Sequence, residues 1–214
     1  MRIAFLGDSL TEGWPGAAFF PLLDLRLPRH ELLNHGKAGD TVADLWARMQ
    51  FEGLGPVDLA VIWVGANDAV IGAWDASIPG SGWSWPERLA RLAGDYDELL
   101  EWTEARAPRL VVVRPLILEA EGSLWEERAA EVGETLAELA AARSTCRALD
   151  LRPAFATAAR SGEGPFTTDG VHFTGAGAEV VARAFASAIA AIEAEIDEDG
   201  GAAAADPDQG EAAP

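Results

Sequence analysis

Short apolar runs alternate along this chain with longer stretches whose apolar residues recur at helical spacing, and no other feature limits the fold as sharply. Such alternation is the mark of strands joined by helices into a parallel α/β sheet. It predicts strands near 2–6, 31–35, 58–64, 109–114 and 145–150, and helices near 16–27, 41–52, 87–106, 124–143 and 175–195. Boundary signals agree with these elements. Thr41 suits the N-cap of the second helix, and Pro86 falls just before or inside the first turn of the third, with Glu87 well placed against the helix dipole. Pro108 closes that helix and Pro115 closes the fourth strand. Thr174-Gly175 opens the last helix, where Val180, Val181, Ala184, Phe185 and Ala188 keep helical spacing. The order of elements fits a three-layer α/β/α sandwich around a five-stranded parallel sheet, in the flavodoxin-like order 2-1-3-4-5.

Two segments stand outside the alternation. Residues 69–86, with Trp74, Trp83 and Trp85 among Gly, Ser and Pro, are longer than an ordinary connection between strand and helix. From about 197 the chain is acidic and Ala/Gly-rich, with too little apolar content to fold, and is expected to be disordered. The 214 residues therefore divide into one domain over 1–196 and a tail over 197–214.

Composition bears mainly on partners. The formal net charge is −19, and eight of the acids lie from Glu193 onward with no Lys or Arg among them, leaving −11 for the body. A surface that acidic repels phosphate backbones and anionic membranes, which argues against nucleic-acid binding. The single cysteine, Cys146, excludes an internal disulfide and a cysteine-based zinc cluster, and within a strand it reads as a buried, inert thiol. A strand is expected almost at Met1, without an apolar segment long enough to be a cleavable leader, and a mature form with its leader removed would read the same way. No stretch approaches the roughly 20 apolar residues of a membrane span. A soluble, cytoplasmic protein is the expectation. Nothing calls for a metal or an organic cofactor, and oligomeric state is not legible.

The chemistry sits in four motifs. Gly7-Asp8-Ser9-Leu10 follows the first apolar run, so a buried strand ends in a sharp turn that presents a serine hydroxyl. Asp169-Gly170-Val171-His172 sets an acid and a base three residues apart near the other end. Between them come Gly36-Lys37-Ala38-Gly39-Asp40-Thr41 and Gly65-Ala66-Asn67-Asp68, each after its own apolar run. In this order the four motifs resemble those of the GDSL, or SGNH, family of serine hydrolases, over nearly the whole chain from Met1 to about residue 190. The resemblance implies Ser9 as nucleophile, His172 and Asp169 as its partners, and an oxyanion hole made by the Ser9 and Gly39 backbone N–H groups and the Asn67 side-chain amide.

The predicted topology and elementary chemistry support the same assignment. With strand order 2-1-3-4-5, ligands bind where the order reverses, between strands 1 and 3. Ser9, Gly39 and Asn67 follow strands 1, 2 and 3, and the segment from Leu151 to Thr168 is long enough to carry Asp169 and His172 back to them. A serine hydroxyl needs a base to take its proton as it attacks, and histidine has a pKa near the working pH. Asp169 can hold the imidazole tautomer and stabilise the imidazolium. Gly39 lacks a Cβ, which lets a substrate approach the backbone closely. Each motif also has a plainer reading when taken alone: Asp8-Ser9 as a helix cap, Asn67-Asp68 and Asp169-Gly170 as turns, His172 as a structural histidine. Their joint occurrence favours the catalytic one. Asp8 and Asp68 are read as capping or supporting groups, His30 as a surface residue and His35 as the end of a strand.

The expected activity is a serine esterase acting on a carboxylic ester (a small acyl ester, lipid, thioester or acetylated sugar) through an acyl-enzyme intermediate. Trp74, Trp83 and Trp85, with Gly72, Gly80 and Gly82 as flex points, are candidates for a wall or lid over the substrate, or else simply cover the sheet. The alternatives are an acyltransferase on the same site, or a non-catalytic module cradling phosphate or FMN at the turn 7–13. Asp8 and Glu12 would repel an anion there.

Overall fold

A computed structural model describes residues 1–204 apart from 77, 79–82 and 119–121, and for 199–204 the backbone alone. Its elements in chain order are β1 (Arg2–Gly7), α1 (Ser9–Glu12), α2 (Phe20–Arg26), β2 (Glu31–Gly36), α3 (Val42–Glu52), β3 (Leu59–Trp63), α4 (Ala66–Ala76), α5 (Trp85–Glu104), β4 (Leu110–Val113), α6 (Leu124–Ala141), β5 (Cys146–Leu149), α7 (Arg152–Arg160) and α8 (Gly175–Ala204). All strand pairs are parallel and the order is β2-β1-β3-β4-β5, as the alternation of elements predicts.

Successive side chains of a strand point to opposite faces, and the sheet uses this to build two cores. Ile3, Phe5, Val61, Trp63, Val111 and Val113 face α2, α7 and α8, meeting Phe19, Leu23, Phe155 and Phe185. This side is rich in aromatic edges, with Phe5 and Phe185 T-shaped at 5.4 Å between centroids. Ala4, Leu6, Ala60, Ile62 and Val112 face α3, α5 and α6, against Leu45, Met49, Leu99, Val132 and Leu136. Central strands buried on both faces read as continuous apolar runs, which is why the sequence shows them so clearly. Cys146 is buried in β5, and burial raises its thiol pKa. Thr41 caps α3 through a reciprocal pair with Asp44, and Ser84 with Glu87 does the same for α5, with Pro86 in its first turn.

The structure corrects the sequence reading at several points. The first part of what reads as an irregular stretch after β3, residues 69–76, belongs to helix α4. Gly72, expected to flex, lies inside that helix where a Cβ would collide with the Trp85 ring. Gly80 and Gly82 lie outside the described residues. Helices α1 and α7 fall where only connections are expected, and α2 starts at Phe20 rather than near 16. Helix α8 continues through the first acidic residues to Ala204, because extending a formed helix is far easier than nucleating one. The remaining tail, 205–214, lies outside the described residues. His30 is not on the surface: its side chain is 4% exposed and sits 3.2 Å from Glu193 of α8, enclosed where the chain turns from α2 into β2. Contrary to expectation, the stretch Gly175–Glu198 is long and apolar enough to cross a membrane by length and composition. Its Val181, Phe185, Ile189 and Ile192 are instead buried against the sheet.

Candidate active site

The candidate nucleophile stands where β1 gives way to α1. Asp8 caps α1, its carboxylate accepting from Leu10 N at 3.0 Å, so Ser9 becomes the first helical residue. The plain capping reading is therefore correct for Asp8, and it is also what presents Ser9. The backbone N–H of a residue at this position has no acceptor within its helix and is free to serve a ligand. Ser9 Oγ lies 3.1 Å from His172 Nε2, and His172 Nδ1 lies 2.7 Å from Asp169 Oδ2. The other Asp169 oxygen accepts from the backbone N–H groups of His172 at 2.8 Å and Val171 at 3.0 Å. Burial works against the Asp169 charge, but the hydrogen bonds from the His172 ring and from these amides outweigh it and hold the carboxyl below its usual range. Residues 163 positions apart thus form one hydrogen-bonded chain of hydroxyl, imidazole and carboxylate.

Besides the Ser9 N–H, the candidate oxyanion donors are Gly39, in the loop after β2, and Asn67, in the first turn of α4 after β3. Gly39 has φ +87°, and a Cβ there would meet nothing within 4 Å. The residue type is thus set by the left-handed backbone, not by crowding within the protein, and the open space is left for a ligand. The loop is pinned on several sides. Lys37 N donates to Gly7 O at 3.1 Å, Ala38 N donates to the Glu12 carboxylate at 2.6 Å, and the Asn67 amide donates to Asp40 O at 2.9 Å. Asp68 accepts from Val42 N at 3.0 Å, tying the start of α4 to the start of α3. Burial raises Asp8 to about 7, against the opposing bond from Leu10, with Asp68 and Asp40 adding to the rise. Burial likewise lifts Asp68 to about 6 and raises Asp40, against the pull of Arg48. The turn that could cradle a phosphate is lined by the protein's own carboxylates, Asp8 and Glu12.

Of the tryptophans, Trp83 and Trp85 line a cavity of about 310 Å³ together with Thr41, Ile71 and Leu92 and the charged Asp68, Arg88, Arg91 and Asp95. Thr41 and Asp68 set this cavity beside the Gly39 and Asn67 motifs, whereas Ser9 and His172 are not part of its lining. Trp74 is 68% exposed on α4 and also takes no part in it. Trp85 donates to Glu131 and lies under the Arg128 guanidinium at 4.6 Å, so it belongs partly to the framework. A small apolar cluster of Ala69, Ile117 and Ala129, with Val70 and Val171 packed against it, joins the helix bearing Asn67 to α6 and to the loop bearing His172. Arg48, the bond from Ala38 to Glu12, the Asp40–Arg48 pair and this cluster were not found from sequence, since they arise from contacts between separate elements.

A sequence profile described as GDSL-like Lipase/Acylhydrolase family matches residues 5–180. No curated protein matches the chain significantly. Among solved structures, an α/β hydrolase enzyme from the metagenome of Lake Arreo, Spain, is 25% identical; the alignment covers 87% of this chain and 94% of that one at TM-score 0.70. An acetyl xylan esterase shares the fold at 22% identity, 88% and 100% coverage and TM-score 0.71. An acetylxylan esterase from Geobacillus stearothermophilus does so at 20% identity, 86% and 91% coverage and TM-score 0.66.

Proposed function

Because this chain belongs to the GDSL-like lipase/acylhydrolase family and is an ester-hydrolysing enzyme, we propose that it cleaves carboxylic esters by a two-step route through an acyl group carried on Ser9. The observation that carries this reading is the unbroken chain Ser9 Oγ–His172–Asp169. As Ser9 Oγ attacks the carbonyl carbon, His172 Nε2 takes its proton and Asp169 stabilises the resulting imidazolium. The carbonyl oxygen becomes an oxyanion held by the N–H groups of Ser9 and Gly39 and the Asn67 amide. Collapse of the tetrahedral intermediate breaks the bond to the leaving alcohol, which receives the proton from His172. A water then gives its proton to the same imidazole and attacks the acyl carbon, releasing the acid and restoring Ser9. An alcohol in place of that water makes the same site an acyltransferase.

The Trp83/Trp85 cavity beside the oxyanion motifs suits a planar or apolar part of the substrate, such as a short acyl chain or a sugar face. Acetylated sugars therefore join p-nitrophenyl esters of graded chain length and acyl thioesters in the decisive screen. Wild-type turnover on one of these classes, together with fluorophosphonate labelling that Ser9→Ala abolishes, is the expected result. Near-normal esterase activity in Ser9→Ala overturns the reading.

A further inference from the structure

Each candidate oxyanion donor has an aspartate beside it in the chain: Asp8 before Ser9, Asp40 after Gly39 and Asp68 after Asn67. Asp8 and Asp40 are 2% and 5% exposed. Negative charge gathered beneath an oxyanion hole opposes the charge that the hole has to stabilise. One cation reaches this group from α3. The Arg48 side chain is 10% exposed, and both Nε and one terminal nitrogen lie 2.8 Å from Asp40 Oδ2. That same terminal nitrogen donates to His35 O at 2.9 Å and to Gly7 O at 3.4 Å, the carbonyls at the ends of β2 and β1. The other terminal nitrogen meets Glu52 at 3.2 Å. Asp40, held in this way by its carboxylate, offers its carbonyl to the Asn67 amide.

Resting on the reading of Ser9, Gly39 and Asn67 as the oxyanion hole, we propose that Arg48 is the positioning residue of that hole. It locks Asp40 to the ends of β1 and β2, aims the Gly39 N–H and the Asn67 amide at a common point, and balances the carboxylate charge beneath them. The role depends on a guanidinium, because a planar fork of five donors can serve one carboxylate and two carbonyls together. An ammonium has a shorter reach and no such fork.

The test uses Arg48→Met, Arg48→Lys, Asn67→Ala and the double variant that joins Arg48→Met to Asn67→Ala, each compared with wild type at equal folded fraction by circular dichroism. Loss of a whole oxyanion donor slows turnover about 100- to 1000-fold, so misaiming one should cost about ten- to a hundredfold in kcat with KM little changed. Arg48→Lys is expected to fall between Arg48→Met and wild type. Combined with Asn67→Ala, the Arg48→Met loss should be much smaller than it is alone, since both act through one group. Affinity for an alkylboronic acid, which forms a tetrahedral anion on Ser9, should fall in parallel with kcat. If Arg48→Met keeps wild-type kcat and boronate affinity while Asn67→Ala loses both, the inference fails and the proposed function stands. If Asn67→Ala and Ser9→Ala also keep wild-type kcat, the proposed function itself fails. Should Arg48→Met not fold, a folded Arg48→Lys with wild-type kcat overturns the inference equally.

Discussion

At the scale of single residues, protonation at the site bears on the stability of the fold as well as on the proposed chemistry. On the proposed mechanism Ser9 and His172 act as one unit, so Ser9→Ala and His172→Ala should each lower kcat by several orders of magnitude, and the double variant should be little worse than either. Steady-state kinetics on the best ester of the screen checks this. Asp8 affects the fold in the opposite sense to Asp169. Its carboxyl is raised from 3.8 to about 7 by burial, so the folded chain holds that proton more tightly than the unfolded one. Its contribution is full below the unfolded value and is lost as pH rises towards 7. Asp8→Asn keeps an acceptor for Leu10 N and removes the charge. It should raise the melting temperature at about pH 8 and change it little at about pH 4, with an upper bound of a few kcal/mol at roughly 1.4 kcal/mol per pKa unit. Melting curves across that range decide it, and equal effects at both ends would contradict the assignment. Asp169, held low, contributes at neutral pH and loses its contribution as pH falls through its depressed value. The candidate chemical residues were legible because each motif directly follows an apolar run or a turn pair. Arg48 was not, since its partner Asp40 lies eight residues away and only the winding of α3 brings the two together.

At the scale of elements, strands were the easiest to read and short helices the hardest. A central parallel strand is apolar on both faces and needs no neighbour to be recognised. Helix α4 is marked instead by a stripe of small residues, Ala66, Ala69, Gly72 and Ala73, that packs closely on other elements and gives little apolar contrast. Its tryptophan and glycine content reads as a loop until Trp85 is seen lying over Gly72. The same packing separates two side chains that the sequence treats alike. Trp83 is 49% exposed at the cavity, whereas Trp85 is tied to Glu131 and Arg128 of α6. Trp83→Ala should therefore shift kcat/KM between short and long or sugar esters by about 1–3 kcal/mol while the melting temperature stays near wild type. Trp85→Ala should lower the melting temperature markedly. A chain-length series measured beside thermal melts distinguishes them. Uniform loss on every substrate with a large drop in melting temperature for Trp83→Ala would place that ring in the framework as well.

At the scale of the whole molecule, the two cores are assembled by different parts of the chain. The core against α3, α5 and α6 is complete by residue 146, whereas the other draws Phe155, Phe173, Phe185 and Ile189 from α7, α8 and the loop between them. A chain ending at residue 150 should thus expose one face of its sheet, bind a hydrophobic dye strongly and show no esterase activity. Soluble, dye-silent behaviour of that fragment would refute this division. The distance in sequence between Ser9 and His172 has a further consequence for a chain emerging from the ribosome. The Ser9 hydroxyl is made among the first residues, whereas His172, its proposed base, comes only after α7. On the proposed mechanism, hydrolytic capacity therefore requires both ends of the chain to be in place, and a nascent chain is expected to gain turnover only after His172 has emerged.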